Sequence, residues 1–327
     1  MEQFIRKFSI SIMSLILSFA FFGTVTYAWF SLAKTNVLDN LTINITTGNH
    51  LEISLDGVDY YKKLPARLVQ EAIGQQLSLK DVTSYDGINF MGGPLKEEEV
   101  RPNIDYFSLT FWFRTTAQDK RDVYLVDNVS NDIGFGDEAD GTYVVSRGIK
   151  WRSDNTFQNG PNPLTDTVYP GQRGMFKGAD AIRISFVEEK DKANPYDVRS
   201  EDKLIHFIFD PSGDQERGFG KSYGAFAYFK AKRKEDIKIP EVIPDAQYDL
   251  TEFSEANPYI PLNSKSRVTK LIDTVDKSPE GKIYYRGKLT VNIWLEGWDA
   301  DCFSSIYRDT IKVQLRFKAG RSINTSE

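Results

Sequence analysis

Apolar and polar residues alternate with period two along most of this chain, which restricts it to strands with one buried face. Leu289, Val291, Ile293 and Leu295 alternate with Thr290, Asn292 and Trp294, and Ile311, Val313, Leu315 and Phe317 alternate with Lys312, Gln314 and Arg316. Each segment has one apolar and one wet face. A sheet of such strands needs a second layer over its apolar side, so an antiparallel β-sandwich is the economical solution. Leu41, Ile43 and Ile45 repeat the pattern, as do Leu51, Ile53 and Leu55 before a tight turn at Asp56-Gly57. Ile182, Ile184 and Phe186 continue it, followed by the run from Leu204 to Phe209.

The segment from Asp105 to Thr116 puts Phe107, Leu109, Phe111 and Phe113 on one face and Tyr106 and Trp112 on the other. It reads as a central strand covered on both sides. The stretch beginning Asp122-Val-Tyr-Leu follows a polar turn and reads as its hairpin partner. Helical signal is sparse. Pro65 followed by ARLVQEAIG predicts a helix that stops at Gly74, and Lys96–Val100 adds at most a turn. Two charged or proline-rich stretches, near 188–203 and 230–265, read as insertions because strands resume after each. No internal repeat is evident. The expectation is an all-β fold with few short helices and long loop insertions, in one domain over 29–327.

Residues 1–28 have the order of an export signal. Arg6 and Lys7 precede an apolar stretch from Phe8 to Val25, and Thr26 and Ala28 flank Tyr27 as in an A-x-A-like cleavage site. Cleavage is expected between Ala28 and Trp29. The competing reading is a retained membrane helix over 8–33, because the chain carries no charge from Phe8 to Ala33. Either way, the remainder lies outside the cytoplasm, and the membrane is met only through this segment.

The 41 basic and 46 acidic residues, net −5, are spread along the chain with no contiguous basic block, so nucleic acid is not expected as a partner. Cys302 is alone and cannot form an intrachain disulfide. His50 and His206 are the two histidines, and no H-E-x-x-H is present; His206 reads as a half-buried strand residue. Ser200-Glu-Asp-Lys203 matches S-x-x-K without the accompanying S-D-N and K-T-G, and reads as solvated loop. Asp137, Glu138 and Asp140 crowd one loop outside the EF-hand register: an acidic hairpin loop, with a weak calcium site as the competing reading. The five tryptophans, Trp112 among them, serve either as sugar platforms or as core material. No catalytic, cofactor-binding or metal residues are assigned and no cofactor is expected, which points away from an enzyme.

The hydrophobic leader ending Thr-Tyr-Ala, then Trp29-Phe30-Ser31, a polar spacer and the strand LTINITTG resemble a known group. These are exported Gram-positive proteins with a signal peptide of the type cut by the SipW signal peptidase, the TasA and camelysin biofilm-matrix fibre proteins. The resemblance implies a jelly-roll sandwich, secretion, and polymerisation in which an N-terminal segment of one subunit completes the sheet of the next. The donor residues would be Trp29, Phe30, Leu32, Leu41, Ile43 and Ile45, whose alternation suits main-chain pairing at an exposed edge. The same residues pairing within their own subunit is the alternative. The function expected is a structural cell-surface or matrix protein that associates with itself or with other matrix proteins. The alternative is a membrane-anchored extracellular module that binds a glycan or a protein.

Overall fold

Two long strands near the C-terminus organise the molecule, each at the centre of its own sheet. The computed structural model describes residues 37–38, 41–48, 50–74, 77–94 and 99–323 with Met13 and Leu15, and only the backbone for 37–38 and 41–44. In chain order the main strands are β1 (Leu41–Thr47), β2 (Glu52–Ser54), β3 (Leu79–Thr83), β4 (Phe107–Thr115), β5 (Asp122–Leu125), β6 (Tyr143–Ser146) and β7 (Ile149–Arg152). They continue with β8 (Arg173–Phe176), β9 (Ile182–Glu189), β10 (His206–Phe209), β11 (Arg267–Lys270), β12 (Ile272–Lys277), β13 (Ile283–Glu296) and β14 (Ile311–Gly320). Helices α1 (Ala66–Ile73) and α2 (Ala225–Arg233) complete the set. The chain is mostly β, in several sheets of which none closes.

In the first sheet β13 lies between β9 and β4, both antiparallel to it, with β12 beside its start and β3 parallel to its end. In the second, β14 runs parallel to β1 and antiparallel to β5 and β6, and β11 extends the sheet beyond β5. One apolar cluster joins the two sheets, with Phe107, Phe111, Leu289, Val291 and Ile293 from the first and Ile45, Leu125, Val313, Leu315 and Phe317 from the second. Phe113 and Phe317 meet edge-on at 4.9 Å. Each such fully buried aromatic contributes about 1.5–3 kcal/mol through burial alone. Residues Asn36–Glu327 form one compact unit.

The parallel pairs depart from the antiparallel pattern expected. Parallel neighbours need a long connection, and β1 and β14 have nearly the whole chain between them. The hairpin expected between β4 and β5 does not form either: β5 pairs with β14 and β11, so the turn after β4 carries the chain from one sheet to the other. Helix α1 starts after Pro65 and ends at Gly74, whose φ of +87° suits glycine alone, as read from the sequence.

Helix α2 was not anticipated, although Ala225, Tyr228 and Phe229 have helical spacing. It buries those three residues with Phe157 and Phe303 in a second aromatic cluster, against which Trp151 packs. The 188–203 stretch is less solvated than its charge suggests, since Asp191 and Asp197 are buried and pair with Arg286 and Arg199. The 230–265 stretch adds a short strand, Ala246–Gln247, parallel to β10, and docks by reciprocal Thr251–Ser266 hydrogen bonds of 2.8 and 2.9 Å.

Candidate functional site

The residues proposed from sequence fall in two groups. Ala28, Trp29, Phe30 and Leu32 lie outside the described residues. Leu41, Ile43 and Ile45 lie on β1 in register with Ile311, Val313 and Leu315, and Ile45 is fully buried. On its other side β1 meets only Lys63–Leu64, opposite Ile45 and Thr46. Among the described residues, no strand pairs with that side of Leu41–Asn44.

The outward face of the first sheet carries a run of polar side chains in mutual contact. Cross-strand register places Lys288 between Trp112 and Glu189, and Thr290 beside Thr110. Lys288 pairs with Glu189 at 2.6 Å and sits 5.3 Å from the Trp112 ring centroid. Thr110 and Thr290 hydroxyls lie 2.7 Å apart, and Thr290 donates to Glu189. The result is a continuous ladder of indole, ammonium, carboxylate and hydroxyl groups. A groove of about 650 Å³ opens beside it, walled by Asp56, Gly57, Val58 and the 190–193 segment.

Two loops of one design frame this face. In the first, Gly57 N donates to Ser54 Oγ (2.9 Å), and Val58 N and Asp59 N donate to Asp56 Oδ1 (2.8 and 2.9 Å). In the second, Gly87 N donates to Ser84 Oγ (2.9 Å), and Ile88 N and Asn89 N donate to Asp86 Oδ1 (2.8 Å each). Both glycines have positive φ, +74° and +71°. The backbone donors hold the Asp56 carboxyl below its usual range. At Asp86 burial acts in the opposite sense, but the Asn89 and Ile88 donors outweigh it and the carboxyl is again lowered. The shared S-x-D-G-[VI]-[DN] pattern is a local repeat visible in the sequence, contrary to the expectation that none exists.

Beyond the second loop the same face closes over buried charge. Arg183 pairs with Asp210 (2.7 Å) and with Asp299, all three almost fully buried. Burial disfavours the guanidinium, yet Asp210 and Asp299 outweigh it and hold it charged. Burial also raises Asp299, Asp210 and Glu296 above the usual carboxylate range, with Arg183 opposing the shift. Glu296 accepts from Trp294 Nε1 (2.9 Å) and Trp298 N (3.1 Å). A cavity of about 70 Å³ remains beside Arg183, Glu296, Tyr248 and Phe219. Alternation marks Arg183 as outward-facing, but its acidic partners come from distant segments that no spacing rule connects.

Comparison with protein-family models, with curated proteins and with solved structures finds no match to this chain.

The remaining candidates disperse. Asp137 folds back to accept from Gly134 N (2.7 Å), and Asp140 pairs with Arg316 (2.8 Å), so the loop's carboxylates face different partners. Lys312, Gln314 and Arg316, expected to be wet, hold that loop through Phe135, Ala139, Gly141 and Asp140 carbonyls. Among the described residues, no group of three or more His, Cys, Asp or Glu is arranged to hold a metal ion. His206 begins β10 at the strand's exposed end and is exposed, not half-buried; His50 is exposed too. Ser200 and Lys203 are exposed, and the Cys302 thiol is buried in the main core. No helix among the described residues is long and apolar enough to cross a membrane.

Proposed function

We propose that the chain is an exported structural protein of the Gram-positive cell surface or extracellular matrix, built as a jelly-roll sandwich and assembling by exchange of its N-terminal strand. The observation that carries this reading is the position of β1. It pairs along its full length with one partner, β14, and across only two residues with Lys63–Leu64. A strand held in this way can come from a neighbouring subunit with every register pair preserved, which gives a head-to-tail contact and open fibres. Resemblance of the leader to SipW-cut signal peptides supports export.

Intact-mass measurement of the exported protein tests the leader: a start at Trp29 is expected, and a start at Met1 overturns it. Negative-stain microscopy of concentrated mature protein tests assembly. Fibres are expected, shortened by a synthetic peptide covering 29–48, and persistent monomers across conditions overturn strand exchange.

A second reading, an extracellular binding module for a glycan or protein, is favoured by the Trp112–Lys288–Glu189 ladder and its groove. Polar groups fixed on a rigid sheet beside an indole suit reversible recognition. Binding on a glycan array that Trp112→Ala abolishes would support it.

A further inference from the structure

Strands β7 and β8 form a two-stranded ribbon in which Lys150 faces Met175 and Arg152 faces Arg173. Its inner side is fixed by aromatic packing: Trp151 meets Phe157, Phe176, Tyr228 and Phe303 edge-on, with centroids 5.6–6.3 Å apart. On its outer side Lys150, Arg152, Arg173 and Met175 are all exposed. Like charges directly opposite one another destabilise a sheet. Elsewhere such cations find carboxylates, as Arg183, Arg199, Arg217 and Arg286 do. Among the described residues, none lies within ion-pair distance of Lys150, Arg152 or Arg173. The three cations instead line a shallow groove of about 530 Å³ with Trp151, Gly174 and Met175.

We infer that this face binds a linear phosphate polymer. Lys150 and Arg152 stand two residues apart on one strand, about 6.7 Å, so the charges form a row suited to a chain of repeating anions. Arg152 and Arg173 present two guanidinium forks at one point, and a phosphate in a chain offers free charged oxygens that both can engage. The partner neutralises the like-charge repulsion that the ribbon otherwise carries. With the whole chain at net −5, attraction depends on this local field and weakens as salt screens it. The inference does not depend on strand exchange.

The test titrates the purified chain with long-chain inorganic polyphosphate at about 50 mM and about 300 mM salt. Binding is expected at low salt, weakened about tenfold or more at high salt and by a similar factor in Arg152→Glu with Arg173→Glu. Arg152→Gln with Arg173→Gln, a milder pair, should also lose binding at a urea midpoint no lower than that of the wild type. Lys62→Glu with Lys203→Glu, which carries the same charge change at exposed sites elsewhere, should shift affinity less than about twofold. Absence of wild-type binding, equal loss in the control pair, equal affinity for polyglutamate, or salt-sensitive self-association in place of polymer binding would each overturn the inference.

Discussion

The two ends of the first sheet's outward face carry the same loop but opposite surroundings. At one end Gly57 lies over the Trp112 ring beside an open groove; an added Cβ would meet the indole at an ordinary 3.4–3.5 Å. At the other, Gly87 is buried, its carbonyl accepts from Ser185 Oγ (2.6 Å) and Asn292 Nδ2 (3.2 Å), and an added Cβ would stand 2.6 Å from Ser185 Cβ. The same core of local hydrogen bonds thus serves as a rim in one place and as a cover in the other. The local code sets the loop's shape, and what the loop rests on sets its energetic weight.

That contrast predicts a ranking of effects. The largest is Arg183→Ala at the covered end, which leaves Asp210, Asp299 and Glu296 buried without their cation and should lower stability by about 3–5 kcal/mol in urea denaturation. A loss below about 1 kcal/mol would mean that this end is as tolerant as the open one. Next, Gly87→Ala combines a left-handed φ with a steric clash and should cost roughly 2–5 kcal/mol, whereas Gly57→Ala meets only the φ penalty, about 1–2 kcal/mol. Equal values would erase the comparison.

Smaller effects should separate the carboxylates by sign. Asp299 has a raised folded pKa, so the native state binds the extra proton. Its contribution to stability is largest below the ordinary carboxylate range and is lost as pH rises from there toward the folded value. Asp299→Asn should flatten that limb of the stability–pH curve. Asp56 and Asp86 have lowered folded pKa values, so their contributions are present above the unfolded value and lost as pH falls through the folded one. Asp56→Asn should flatten only the acid limb. The smallest effect is expected for Lys288→Ala at the open end, within about 1 kcal/mol, because its pair with Glu189 is partly solvated. A larger loss would show the ladder to be structural.

The alternation that located β4, β9, β13 and β14 was legible because each strand sends alternate apolar side chains into the core between the sheets. Helix α1 was legible through Pro65 and Gly74. The candidate site was less so. Asn292 and Trp294 occupy positions that alternation marks as wet, yet both are buried, beneath the 84–89 loop and beside Phe90 and Tyr106. A loop that drapes over a sheet leaves no periodic trace. The twin loops themselves did leave one, a repeated six-residue pattern short enough to pass as ordinary turn chemistry.

The sequence by itself determined that the chain is built of strands, which faces of those strands seek the core, and where α1 begins and ends, because these follow from side-chain period and backbone preference within a few residues. Only the tertiary structure decided that β5 leaves β4 for the other sheet, that β1 lies parallel to β14, that Arg183 meets Asp210 and Asp299, and that Arg152 faces Arg173. Those pairings join residues far apart in the chain. Their free energies depend on what else is packed there, which no local pattern encodes.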